Sequence, residues 1–170
     1  MDKLTLKLFE FYNLDAEING LSNPQTGEKV SEGLLQAKLP LTVKYWLTEL
    51  SKKVRSEKQT IEDLKNELIR KYGKEDDKGG ISIPVVVDEL GADGQPVKVV
   101  AEDGTETVKK VLNPDYQAFD KEFGELLNTE KELEYKPFDL ADFKSLETTD
   151  NFVTFFKLIK VEETKVVSMK

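Results

Sequence analysis

The sequence predicts an α+β fold: an antiparallel helical hairpin or bundle with one long heptad-patterned helix, plus a small antiparallel β-meander. Three observations carry this expectation. Val43, Leu47, Leu50, Val54, Glu57, Ile61, Leu64, Leu68 and Tyr72 alternate steps of four and three, which places them on one face of a helix. Tyr116, Phe119, Phe123, Leu126, Glu130 and Leu133 repeat that spacing with an aromatic bias, supplying a second helix to pack against the first. Between them lie segments rich in valine and isoleucine and bounded by turn formers, the composition of short strands.

At the N-terminus, Leu4, Leu6 and Leu8 alternate as a strand would, but Leu4, Leu8, Phe11, Leu14, Ile18 and Leu21 keep helical spacing for longer. Helix is therefore expected over 4–21, with Thr5 as its cap and Gly20 as its stop. Residues 22–31 (SNPQTGEKVS) read as a loop or small hairpin. Pro40 marks the start of the long helix, and Gly73, preceded by Arg70 and Lys71, marks its end. About 32 residues at 1.5 Å each make a rod roughly 48 Å long, too long to be buried along its whole length in a chain of 170 residues.

KEDDKGG at 74–80 is a charged loop, and ISIPVVV at 81–87 is a strand that Pro84 confines to an edge or bulge. Residues 97–111 read as a hairpin turning at Asp103-Gly104, since a type I′ turn needs positive φ at both central residues. With 81–87 this gives a three-stranded meander. Asn113-Pro114-Asp115 combines a cap, a first-turn proline and an early acid, so a helix begins there and runs to about Glu132. Residues 133–138 form a short strand. Thr149 or Asp150 caps a helix carrying Phe152, Phe155, Phe156 and Ile159, and the valines of 161–169 suggest a last strand. The expectation is one domain over 1–170, with a β insert at 81–111.

Composition excludes more chemistry than it offers. With neither cysteine nor histidine, disulfides, thiol nucleophiles, the common zinc sites and imidazole catalysis are absent. A net charge of −8 opposes general nucleic-acid binding. Lys52, Lys53 and Arg55 are the nearest thing to a basic stripe and read first as a solvated helix face. No apolar run approaches the ~20 residues that span a bilayer, and the polar N-terminus is unlike a signal peptide, so a soluble, non-membrane protein is expected.

No phosphate-binding glycine loop or serine-hydrolase elbow occurs. Asp88–Gly94 and Asp103-Gly104 offer oxygen ligands without calcium-loop spacing, and turn chemistry explains them better. No catalytic residue, cofactor or metal is assigned, and an enzyme is not expected. Carboxylates are the only catalytic groups in quantity, and no pair among the 33 acids stands out. The residues that invite attention form a candidate interaction surface on the long helix: Trp46, Val54, Glu57, Ile61 and Leu64. Trp46, beside Tyr45, is either an interface anchor or, more simply, a core aromatic beneath the first helix. Glu57 interrupts the apolar seam, either to set register or to face solvent where the partner helix has ended, and the second reading is preferred.

In arrangement the chain resembles small helical proteins of tailed bacteriophages and prophages. The resemblance rests on Leu4-Thr5-Leu6 through Phe11-Tyr12, and on Lys38-Leu39-Pro40 leading into a helix with Tyr45 and Leu47 that ends Ile69-Arg70-Lys71-Tyr72-Gly73. It continues with Asn113-Pro114 through Phe123, Glu125-Leu126-Leu127, Glu132-Leu133-Glu134-Tyr135 and Phe138-Asp139-Leu140-Ala141-Asp142-Phe143. It covers about two thirds of the chain, and residues 85–111 appear as an enlargement relative to such proteins. It implies a viral source, a place in the host cytoplasm or virion, and a role through other protein subunits, including copies of itself. A virion structural or assembly component is the first expectation. The others are an inhibitor that occludes a host defence protein through acidic mimicry and, by architectural analogy alone, a prefoldin-like holdase.

Overall fold

The leucine alternation at the N-terminus belongs to a strand. In the structure, a computed structural model describing residues 1–76, 78–101, 104–146 and 152–160, β1 spans Asp2–Lys7 and α1 spans Leu8–Asn19. The helix expected over 4–21 is thus a strand followed by a shorter helix, and Thr5 is no cap. The cause lies far along the chain. Glu130–Tyr135, of which the sequence gives the first part to a helix and 133–135 to a short strand, forms β10 and pairs antiparallel with β1, Leu4 opposite Leu133 and Lys7 opposite Glu130. Leu6, Leu133 and Tyr135 point inward, while Lys3 and Glu132 join their charges on the outer face at 2.7 Å. Period-two burial on both partners outweighs local helical spacing.

Two units divide the chain, Met1–Ile61 with Asn128–Lys170, and Glu62–Leu127, where the sequence predicts one domain. In the first, α1 turns Leu8, Phe11, Leu14 and Ile18 into the core. Its N-terminus is closed by the Lys7 N–H donating to the Glu10 carboxylate at 2.8 Å. It ends at Gly20, whose φ of 81° lets its N–H return to the Ala16 carbonyl at 2.8 Å. The hairpin allowed for at 22–31 is present as β2 (Leu21–Ser22) and β3 (Lys29–Ser31). The long helix α2 spans Leu41–Tyr72 as the heptads predict. Its Val43, Leu47, Leu50, Val54 and Ile61 are buried. Polar contacts lie beside that seam: Ser51 donates to Asn19 at 2.9 Å, Lys58 meets Asp15 at 2.6 Å, and Lys53 donates to the Glu134 carbonyl at 2.8 Å. α1 and β10, rather than a second long helix, therefore flank this half of the rod. Phe138, Phe143 and Phe155 complete the core in mutual ring contact. Phe155 lies in a 3-10 turn, Phe155–Leu158, in place of the expected helix. Thr149, Asp150 and the strand expected at 161–169 fall outside the described residues.

The second unit contains the last turns of α2, six short strands and α3 (Pro114–Leu127). Asn113 caps α3, accepting from the Asp115 N–H at 3.0 Å while its amide donates to the Pro84 carbonyl at 2.8 Å. α3 stops at Leu127, short of the expected Glu132, because the chain is recruited into β10. It contacts the end of α2: Lys71 and the Tyr72 hydroxyl reach Glu122 at 2.7 Å, and Lys65 lies over the Phe123 ring. Gly124 lies on α3 with open space where a side chain would begin. Gly124→Ala is therefore expected to stabilise the protein by about 0.5–1 kcal/mol through helix propensity. A fall in thermal midpoint would mean that the open space is needed.

The expected meander is replaced by nested hairpins. β4 (Lys74–Glu75) pairs with β5 (Ile81–Ser82), and Pro84 separates β5 from β6 (Val86–Asp88), dividing what the sequence reads as one strand. β6 pairs with β9 (Lys110–Leu112), and β7 (Lys98–Val100) with β8 (Glu106–Val108). A third arm closes through Leu90 opposite Pro96. The three arms meet in a closed ring of backbone hydrogen bonds. Glu89 N–H donates to Lys109, Lys109 N–H to Val97, and Val97 N–H to Glu89, each at 2.8 Å. Every backbone donor of the junction is thereby satisfied without a third strand in one sheet. Asp103, expected in the hairpin turn, lies outside the described residues.

Candidate interaction surfaces

The structure separates the five residues singled out on the long helix. Val54 and Ile61 are buried in the core of the first unit, so they belong to packing and not to a surface. The sequence suggested otherwise because α3 is too short to cover them. The missing cover comes from α1 and β10, and the strand expected at 133–138 carries no local sign that it lies against α2. Glu57 is half-buried and meets Lys131 of β10 at 3.3 Å. It neither sets a helical register nor faces solvent past a helix end. Leu64 is exposed and lies in the second unit. Trp46 is half-buried, away from the position beneath α1 that the simpler reading gave it. It makes an edge-to-face contact with Tyr45 at 5.1 Å and lines a cleft of about 220 Å³ with Leu50, Lys53, Glu134 and Tyr135.

The basic stripe is engaged within the chain. Lys52 pairs with Glu49 at 2.6 Å, Arg55 and Lys58 share Asp15, and Lys53 holds the Glu134 carbonyl. Asp93, one of the oxygen ligands weighed for calcium, instead accepts from the Gln95 N–H at 3.1 Å in a tight turn. Among the described residues no group of three or more acids is disposed to hold a metal ion, and no helix is long and apolar enough to cross a membrane.

Two buried acids of α1 were not legible from sequence. Glu17 accepts from the Thr154 N–H at 2.9 Å and from the Phe155 N–H at 2.6 Å, closing the start of the last 3-10 turn. Glu10 holds Lys157 of the same turn. Burial pushes the Glu17 carboxyl above its ordinary value, and the two backbone N–H groups only partly offset this. Burial acts on Glu10 too, but Lys157 and the Lys7 N–H outweigh it and leave that carboxyl below its usual value.

The signs are opposite in their effect on stability. A raised Glu17 lets the folded chain bind a proton more readily than the unfolded one. Its contribution is present below the ordinary value of 4.5 and lost as pH rises through the folded value. The depressed Glu10 contributes above 4.5 and loses that contribution as pH falls. Glu17→Gln keeps one neutral acceptor for the two N–H groups, leaves the other N–H without one, and is expected to cost about 1–3 kcal/mol at neutral pH. It also removes the Glu17 titration, so the variant's stability should rise more steeply with pH above 4.5 than that of the parent. Denaturant unfolding across a pH series checks both, and a variant curve parallel to the parent's would refute the assignment.

The second unit stands out for its surface. Among its described residues Asn113 alone is buried, and no apolar side chain is. Val85, Val86, Leu90, Val99, Val100 and Leu112 are each exposed by more than 40%. The unit also holds 16 acidic against 9 basic residues, so it carries −7 of the chain's −8. Most globular units of this size bury their aliphatic residues and leave charge on the surface. This one exposes both. No family model, curated protein or solved structure matches the chain.

Proposed function

We propose that the chain is a non-catalytic bacteriophage protein that works through protein–protein contacts, as a virion structural or assembly component. The observation that carries the protein–protein part is the second unit, whose aliphatic side chains are all left at least partly open. Exposed aliphatic side chains in such number mark contact sites when they gather into a patch. The first unit has a packed core of its own. The virion setting rests on the resemblance to phage proteins. Mass spectrometry of purified virions and of assembly intermediates tests it: the chain is expected in one of them, and its absence from both would overturn the setting.

A second reading is favoured by the charge, an inhibitor that occludes a basic surface of a host defence protein. Concentrating −7 in one unit is what acidic mimicry requires. Restored defence activity on removing the chain would select this reading, and unchanged activity would dismiss it.

A further inference from the structure

We infer that the three-armed β junction is a docking surface for a partner protein presenting apolar side chains within a basic rim, not for a second copy of this chain. The inference rests on the protein–protein reading above and names the chemistry of the partner. On one face of the first arm Val86 lies opposite Leu112, with Asp88 and Lys110 as the next pair. On one face of the second arm Val100 lies opposite Glu106, and Val108 opposite Lys98. All four of these aliphatic residues are exposed, Val100 by 66%. Among the described residues these two arms are two-stranded ribbons, a form that favours partners that add a strand at an edge or lay a flat apolar face on the ribbon.

Charge decides between occupants. Over 85–112 the chain has six acids and three lysines. Two of those lysines are already committed, Lys98 to Glu106 at 3.1 Å and Lys109 to Glu89 at 2.5 Å. The arms therefore present apolar side chains against a net negative surround. A second copy would bring −7 against −7 as two such units met, whereas a lysine- or arginine-rimmed surface gains both apolar burial and Coulomb attraction.

The test uses three synthetic eight-residue peptides, alternating Lys-Val, Lys-Ser and Glu-Val, read by fluorescence anisotropy against the full chain. The Lys-Val peptide should bind at least about tenfold tighter than either of the others, and its affinity should fall as salt rises. Val86→Thr with Val100→Thr keeps β-branching and net charge, and should weaken Lys-Val binding about tenfold while leaving Lys-Ser binding unchanged. Equal binding of Lys-Val and Lys-Ser would reduce the surface to charge alone and overturn the proposal. So would concentration-dependent dimerisation abolished by the threonine pair, which would make a second copy the occupant. Should the double variant unfold by circular dichroism, the comparison of peptides on the parent chain decides. Virion mass spectrometry reads the broader function independently: a chain found in virions that ignores the Lys-Val peptide sinks this surface and leaves that reading standing.

Discussion

Phe11→Ala is expected to cost about 3–5 kcal/mol, the range for removing a large aromatic from a core that cannot collapse around the gap. Phe11 has no exposed surface at all and belongs with Leu14, Ile18, Leu47 and Phe155 among the most completely buried large side chains. It sits on α1, whose ends are held by the Glu10 cap and by Gly20, so the helix has little freedom to slide into the void. Against a total stability of about 5–15 kcal/mol for a typical domain, the loss removes a large fraction of the margin. Guanidinium unfolding should show a much lower midpoint with little change in slope. Leu64→Ala, on the long helix α2 and exposed, is the control and should cost less than about 1 kcal/mol. If Phe11→Ala cost no more than the control, the core placement of α1 would be wrong.

Gly33→Ala should be nearly as damaging, for the opposite reason. A Cβ on Gly33 would stand 2.2 Å from the Gly20 nitrogen, 2.4 Å from the Asn19 carbonyl carbon and 2.5 Å from the Ile18 oxygen. All three are backbone atoms, so no rotamer change relieves the clash. Gly20 returns the constraint, since a Cβ there would lie 2.6 Å from the Ser31 oxygen. The end of α1 and the exit of the β2–β3 hairpin thus touch through bare backbone, and Gly33 is further tied down by its N–H donating to Gln36 at 2.9 Å. Overpacking costs typically about 1–3 kcal/mol and more where the backbone must move, so about 3 kcal/mol is expected. Gly27→Ala is the matched control on the same hairpin: it has positive φ but open space around it, and about 1 kcal/mol is expected from strain alone. Thermal unfolding of the two variants separates steric contact from backbone strain, and equal losses would contradict the close approach.

What could be read from the sequence followed the reach of each signal. The bounds of α2, the Asn113 cap and the Gly20 stop rest on residues within a few positions of one another, and local spacing identified them. β1 and β10 draw their strand character from each other although paired residues are 123 or more positions apart. Local spacing favours helix over 4–21 and up to about Glu132, so it marks only 133–135 of β10 as strand and gives no sign of the pairing with β1. Without that pairing, α3 is the one partner in view for α2, and Val54 and Ile61 read as uncovered. Glu10 and Glu17 were invisible for the same reason, since their partners Lys157, Thr154 and Phe155 lie more than 130 positions away. The β junction was legible in part: the hairpin expected within 97–111 is present as β7 and β8, but the pairing of β6 with β9 in place of a meander was not foreseen. Hydrophobic alternation specifies faces, and three arms that share one ring of hydrogen bonds leave no distinct trace in the alternation.

That ring makes the arms modular. Only Glu89, Val97 and Lys109 supply its donors and acceptors, so each arm can change length without altering the geometry where the others begin. Doubling the length of a flexible loop costs only about 0.6 kcal/mol in closure entropy, far less than disturbing a packed core. Over generations the tips can therefore vary as freely as surface loops while their point of attachment stays constant. In the laboratory the turn around Gly94, whose surroundings are open, becomes a natural port for inserting a short foreign segment.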